Sequence, residues 1–552
     1  MKIQTRILSS LEKVFLDQAP QACTVPFTCL PGESFAFQIA VLPERIAHYN
    51  SYTTKVQVTS PLPVTVKQVG YVPTLLAAYN DADNLYLTDK PGLFPDPLYS
   101  TDRYRLYIGR WNSFFVEVFP STDIEPGTYP ITLTFTSDDQ RCPEPGQTFT
   151  VNTELTVSGK ALPASELKYT CWFHSDCLAD YYHVKPYSEE HWEIIEKQVA
   201  LAAKRGQNMI LTPVFTPALD TAVGHERTTV QLLGITKTGD TYSFDFSKLD
   251  RWIEMCQRCG IRYFEISHLF SQWGAKACPK VMATVDGTEQ RIFGWETDSL
   301  SPEYHDFLSQ LLPALIAHFD SLGLHDSLFF HISDEPHGDH LPRYLELKNK
   351  VAPLLQGLPL MDAMSDYEYY EQGVCEWPIV ATSALDPFFE KGRPEDFWVY
   401  YCCGQGTNGL SNRFLAMPGF RTRIIGVQWY LFDVKGFLQW GLNFYNSCLS
   451  LRHINPFEVT DGEGAFPGGD PFVIYPGEKG EAMESQRLVI FHEAIQDLAA
   501  LQLLESLTSR DFVVNLIQEG VPEPITFTSY PADPSYLLRL RQKVNEEIAA
   551  RA

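Results

Sequence analysis

The stretch Leu328-Phe329-Phe330-His331-Ile332-Ser333-Asp334-Glu335-Pro336 decides how the chain is read. A largely apolar run leads to two adjacent carboxylates, and the proline that follows has no N–H with which to continue a ladder. A short apolar run bounded by a breaker is the pattern of a strand buried on both faces. Before it, residues 303–322 carry apolar side chains at helical spacing; after it, 358–364 forms a second apolar run. Apolar runs alternating with helical patterns in this way build a parallel sheet. The pattern repeats outward in both directions. Short apolar runs fall at 168–174, 208–215, 261–268, 327–333, 358–364, 379–384, 397–402 and 436–440, with helical patterns between most of them, 189–205 among them. Eight such runs predict a closed (β/α)8 TIM-like barrel over residues 163–506, with its last helix at 484–504.

The flanks read differently. Over residues 1–162 short β-rich runs recur at 34–41, 56–58, 64–69, 114–118 and 131–135, separated by turn signals such as Pro31-Gly32 and Pro126-Gly127. Strands that close together, without helical periodicity, predict an N-terminal β-sandwich. The aromatic residues and prolines from 79 to 99 read as a long connecting loop. Residues 507–552 form a C-terminal helical extension, with one amphipathic helix at 535–551 that offers a surface for homo-oligomer formation. The expected fold class is therefore α/β multidomain, a β-sandwich followed by a barrel.

Composition narrows the chemistry. With 43 Lys+Arg against 68 Asp+Glu, the net charge of −25 argues against nucleic acid, because phosphate neutralisation needs clustered cations. Aromatic residues make up 13% of the 552, an excess that serves either a large core or a surface that stacks on sugars. No apolar run approaches the ~18 residues of a spanning helix, so no membrane association is expected. The first eight residues lack a signal-peptide pattern, which with 12 scattered cysteines points to a reducing cytoplasm. The Cys256/Cys259 pair closes a helix-like stretch and has no second ligand pair at zinc spacing, so it reads as buried thiols.

In a barrel of this kind, reacting side chains stand at the C-terminal ends of the strands. The fourth run thus makes Asp334 and Glu335 the catalytic candidates. Like charges so close resist joint ionisation: one carboxyl rises toward a general acid while the other stays anionic. Glycoside cleavage needs that division of labour. Trp172 and His174 close the first run with Asp176 just after it, Tyr367 follows the fifth, Trp398 and Tyr400 lie on the seventh, and Trp440 closes the eighth with Asn443 beyond it. Such residues suit the apolar face and hydroxyl edge of a carbohydrate substrate. His331, His337 and His340 match no common ligand spacing and Pro336 interrupts them, so no metal and no cofactor is assigned.

Taken together, these residues resemble the glycoside hydrolase family 123 group, over nearly the whole chain. The resemblance rests on Pro31-Gly32-Glu33-Ser34, Pro95-Asp96-Pro97-Leu98, Pro126-Gly127-Thr128-Tyr129 and Leu162-Pro163. It continues through Trp172-Phe173-His174 with Asp176, Ser333-Asp334-Glu335-Pro336, and Arg423. Gly436-Phe437-Leu438-Gln439-Trp440-Gly441 with Asn443, Gly469-Asp470-Pro471-Phe472, and Glu484-Ser485-Gln486-Arg487 complete it. The chain departs at Gln439, a position often aromatic in the group, and lacks the secretion signal many relatives carry.

The resemblance implies a retaining β-N-acetylgalactosaminidase or similar hexosaminidase. Glu335 would be the general acid/base. Asp334 would orient a 2-acetamido group whose carbonyl oxygen attacks the anomeric carbon to give an oxazoline, and Arg423 would join the substrate-binding set. Two other readings stay open: a retaining glycosidase in which Glu335 pairs with Glu265 or Glu376, and a non-catalytic carbohydrate-binding protein.

Overall fold

The first sheet runs in the order Ile3–Ser9, Phe35–Pro43, Asn112–Val118, Val64–Thr74 and Gly92–Tyr99; the second runs Thr28–Cys29, Thr148–Val157, Gly127–Ser137, Ser51–Thr59 and Tyr104–Tyr107. The computed structural model describes residues 2–46, 48–138 and 144–551. The second sheet alternates as a half-exposed strand should: Ile131, Leu133 and Phe135 point inward, with threonines between them facing out. Phe114, Val116 and Val118 of the first sheet meet those residues in one shared core. Asn112–Val118, by contrast, is buried at every position. Its other face carries Phe115, which packs with Ala36, Val69, Leu98 and Val489 of the last barrel helix. The non-alternating run at 114–118 therefore reflects a strand covered on both sides, by a second sheet and by the barrel.

The segment 79–99, expected as loop throughout, contains the strand Gly92–Tyr99. Pro95 and Pro97 are tolerated because this strand is the sheet's edge, where missing donors break no ladder. Its neighbour is irregular at Gly70, where a Cβ would fall 2.1 Å from the Tyr99 ring.

Eight parallel strands follow, in the order Leu328–Phe329, Tyr263–Ile266, Met209–Thr212, Lys168–Cys171, Gly436–Gln439, Trp398–Tyr400, Trp377–Ala381 and Met361–Ala363. Each lies in or across one of the eight runs read from the sequence. The two end strands meet through one parallel bridge, Phe330 to Leu360, so the barrel is nearly closed. The Phe330 N–H donates to the Pro359 carbonyl (3.2 Å) and the Met361 N–H to the Phe330 carbonyl (2.9 Å).

Substantial helices cover the outside after the first four strands and the eighth: Glu189–Lys204, Ser247–Cys259, Pro302–Ser321, Leu341–Val351 and Gln486–Leu507. After the fifth to seventh strands only short pieces occur, Tyr367–Glu371, Asp386–Lys391, Gly419–Arg423 and Ile425–Leu431. The regular (β/α)8 alternation thins there because breakers such as Pro387, Gly392, Pro394, Gly404 and Gly406 interrupt helical runs. Two hairpins absent from the sequence reading, Gly234–Thr238 with Thr241–Asp245 and Val281–Val285 with Thr288–Phe293, join in a four-stranded sheet beyond the second and third strands.

Cys256 packs inside helix Ser247–Cys259, which ends at Gly260 with φ 105° and an Ile261 N–H bonded back to the Cys256 carbonyl at 3.0 Å. The described cysteines are all free. The C-terminal helix Pro534–Ala549 spends its apolar face, Leu537, Leu540, Val544 and Ile548, inside the chain rather than leaving it for a second copy. Arg541 reaches Glu33 (2.6 Å) and Asp497 (3.0 Å), tying the N-terminal region to the barrel. No described helix is long and apolar enough to cross a membrane.

Candidate active site

Beyond Phe329 the fourth strand stays extended beside the chain leaving the third. The Leu269 and Phe270 amides donate to the His331 and Ile332 carbonyls, and the Trp273 amide to that of Asp334 at 3.3 Å. At Glu335 the backbone turns left-handed, with φ 44°, and Pro336 prevents a return to the ladder. A left-handed glutamate costs on the order of 1–3 kcal/mol and persists where its surroundings fix it. Tyr400, from the end of the seventh strand, donates its hydroxyl to Glu335 Oε1 at 2.6 Å. Asp334 and Glu335 both line an open-sided cleft at the C-terminal end of the barrel. Burial, then the neighbouring Glu335 and Asp362 carboxylates, push Asp334 well above the usual carboxylate range, with His331 acting in the opposite direction.

A buried polar chain underlies the pair. Glu265 accepts from Thr170 Oγ1 (2.6 Å), Trp172 Nε1 (2.7 Å) and His331 Nε2 (2.7 Å). The other ring nitrogen of His331 faces Asp362 at 3.2 Å, and Asp362 also accepts from Tyr344 at 2.5 Å. Burial opposes charge on His331, but the bonds to Asp362 and Glu265 outweigh it and raise the imidazole to about 10. With a carboxylate at each nitrogen, His331 is an imidazolium. Burial and that charge keep the stacked His268 neutral, 4.3 Å away. His268, His331 and Asp362 converge within 4.8 Å of one another, a spacing that could hold a metal ion. Both nitrogens of His331 face carboxylates in this arrangement, so a metal ion there would have to displace a ring proton and the hydrogen bond it makes. His337 and His340 lie in the turn that follows Glu335, ring to ring at 4.4 Å, with His340 against Gly274.

Six of the residues singled out from sequence converge on the cleft: Asp334, Glu335, Trp172, His174, Tyr400 and Trp440. The Trp440 indole donates to Asp470 Oδ2 at 2.9 Å, and its backbone carbonyl meets His174 Nε2 at 3.1 Å. Burial, helped by Arg227, lowers His174 to about 3, so it stays neutral, with the Arg227 guanidinium on Nδ1 at 3.0 Å.

The other five lie elsewhere. Asp176 is behind the wall, clamping Arg227 with both oxygens at 2.7 Å. Asn443 is buried and exchanges hydrogen bonds with the His174 backbone. Tyr367 packs on Phe388 and Tyr370 outside the barrel. Trp398 is 1% exposed and fills the barrel interior, since its neighbour in register is Gly436, where a Cβ would fall 2.0 Å from the indole. Arg423 is correspondingly not a ligand residue: it is buried against Asp497 (2.7 and 2.9 Å) and Glu493 (3.0 Å), beneath the C-terminal helix. Sequence reasoning missed Asp220, Gln272 and Trp273 in the cleft wall, which come from loops with no periodic signal, and Cys402 and Cys403, which close and follow the seventh apolar run.

Residues 172–504 match the family described as glycoside hydrolase 123, catalytic domain. A family 123 glycoside hydrolase from Clostridium perfringens, solved in a study of glycolipid glycan hydrolysis, superposes with a TM-score of 0.73 at 14% identity, over 100% of this chain and 98% of that one. A family 5 mannosidase from Rhizomucor miehei gives a TM-score of 0.33 at 8% identity, over 65% of this chain and 97% of its own. No curated protein matches the sequence.

Proposed function

The chain belongs to glycoside hydrolase family 123, and on that premise we propose that it is a retaining β-N-acetylgalactosaminidase, or a closely related β-N-acetylhexosaminidase, that works by substrate assistance. The observation that carries this reading is the Asp334-Glu335 pair at a strand exit, with Tyr400 on Glu335 and an aromatic cleft around both. In this account the barrel (163–506) does the chemistry, while the N-terminal β-rich region (1–162) and the C-terminal extension (507–552) brace it.

Glu335 Oε1 is occupied as an acceptor, so the transferable proton rides on Oε2 and passes to the glycosidic oxygen. Asp334 receives the acetamido N–H and, once ionised, stabilises positive charge as the acetamido oxygen closes on the anomeric carbon. An acetamido N–H arriving at Asp334 favours its anion and leaves the proton to Glu335. Water then opens the oxazoline with Glu335 as base, and the anomeric configuration is kept.

The reading with an enzymic nucleophile loses support. Glu265 is buried beneath three donors, and Glu376 is 87% exposed beside Lys348. Glycan head groups of glycolipids are the natural substrates to try first, given what is described for the Clostridium perfringens relative. The test is release from aryl 2-acetamido-2-deoxy-β-galactosides and their gluco epimers. Turnover by the wild type that falls about 10²–10⁴-fold in Glu335→Gln supports the proposal; no release above that variant on any such substrate refutes it.

A further inference from the structure

We infer that Gln272 and Trp273 form the subsite that receives the leaving sugar, a neutral hexopyranosyl unit on the reducing side of the scissile bond. This rests on the glycosidase reading and adds the half of the substrate that the acid pair does not define. Three independent observations converge on these two residues.

The first is exposure. Trp172 is 3% exposed at the closed end of the cleft, whereas Trp273 is 45% exposed and lines the same cleft at its open side. Among the described tryptophans, Trp273 alone is largely exposed. A large apolar ring left in water at a cleft mouth is what the face of a pyranose covers.

The second is backbone conformation. Trp273 is left-handed, with φ 52°, a conformation bulky residues avoid, and Asp220 across from it has φ 42°. The strain is held by bonds rather than relieved. The Trp273 amide donates to the Asp334 carbonyl, so the indole is registered against the acid pair itself. Asp220 joins the neighbouring loops, donating its amide to Gln272 Oε1 (2.5 Å) and accepting from the Leu449 amide (3.1 Å) and Ser450 Oγ (2.7 Å). Strain kept in place by such a network, beside a candidate active site, points to a positioned group.

The third is an orphan donor. Gln272 is buried, its Oε1 is pinned by Asp220, and its Nε2 has no partner, although the residue lines the cleft. A buried amide N–H without an acceptor is costly unless a ligand supplies one. A hydroxyl of the leaving sugar does so when the Gln272 amide turns toward the cleft it lines, while Trp273 covers that sugar's apolar face. Cleavage itself is unchanged: the glycosidic C–O bond breaks, Glu335 protonates the departing oxygen, and the leaving sugar departs as its free alcohol from this subsite.

The experiment compares a disaccharide bearing a non-reducing β-2-acetamido-2-deoxygalactosyl residue with a thiazoline inhibitor that fills only the glycon side. Trp273→Ala and Gln272→Ala are each expected to lower kcat/KM on the disaccharide tenfold or more, mostly through KM, with thiazoline inhibition changed less than twofold. Trp273→Phe should recover most of the loss. A disaccharide KM within twofold of wild type in both alanine variants overturns the inference, as does a thiazoline constant that worsens in parallel with KM. Failure of the wild type to cleave any 2-acetamido substrate removes the underlying reading and the inference with it, and is distinguished because no variant is needed to see it.

Discussion

Replacing Tyr400 with phenylalanine removes one hydroxyl and little else, and its effect can be worked from a single contact. The hydroxyl donates to Glu335 Oε1 at 2.6 Å. Before reaction that oxygen belongs to a protonated carboxyl; as the proton leaves it becomes part of an anion. A hydrogen bond to a neutral acceptor contributes about 1 kcal/mol net and one to a charged acceptor about 1.5–3 kcal/mol. Only the difference lowers the barrier, because an interaction equal in ground and transition states accelerates nothing. Taking that difference as about 1–1.5 kcal/mol, kcat should fall roughly 5- to 12-fold. The assay is a series of aryl 2-acetamido-β-galactosides whose phenols differ in acidity. The full penalty is expected on a poor leaving group such as phenol, and less than twofold on 2,4-dinitrophenol, which departs without a proton. An equal penalty on both, or none on either, would refute the claim that Tyr400 acts through Glu335.

Other consequences follow from the same geometry. Arg423→Met strips partners from Asp497 and Glu493 and should destabilise the fold by about 3–5 kcal/mol, seen as a lower urea midpoint, with KM of the folded enzyme unchanged; a selective rise in KM would restore Arg423 to the site. Trp398→Ala should likewise cost about 3–5 kcal/mol through the cavity it leaves in the barrel, without altering inhibition by a thiazoline. The pH profile gives a signed test. Asp334 must ionise to act, and burial with the Glu335 charge raises it well above its ordinary range, so activity should fall as pH drops through an elevated acidic limb. Glu335→Gln, assayed on 2,4-dinitrophenyl substrates that need no general acid, should keep an acidic limb, since burial alone still raises Asp334; loss of that limb contradicts its assignment to Asp334.

How much of this was legible beforehand depends on how local each signal is. The acid pair could be read because a strand, a proline and two carboxylates are contiguous at 328–336. The eight barrel strands were equally local, each a short apolar run. Trp398 was misread because what buries it is the missing side chain of Gly436, its partner across the sheet and 38 positions along the chain. Arg423 was misread for a similar reason: its carboxylates come from the last barrel helix, and the cluster closes only when Arg541 brings Glu33 to it from the other end of the chain. Gln272 and Trp273 were missed because their loop, which leads from the third strand into the inserted four-stranded sheet, has no periodicity. The thinning of the outer helices was present in the proline and glycine spacing after 386, but the regular barrel pattern outweighed it.

The central claim is that the substrate's own acetamido oxygen is the nucleophile. It is tested most directly by measuring kcat on p-nitrophenyl β-galactosaminides whose N-acyl group is acetyl, fluoroacetyl, difluoroacetyl or trifluoroacetyl. Each fluorine withdraws electron density from the attacking oxygen, so the account predicts a steep, progressive fall in rate across the series. A rate that stays level from acetyl to trifluoroacetyl would contradict it.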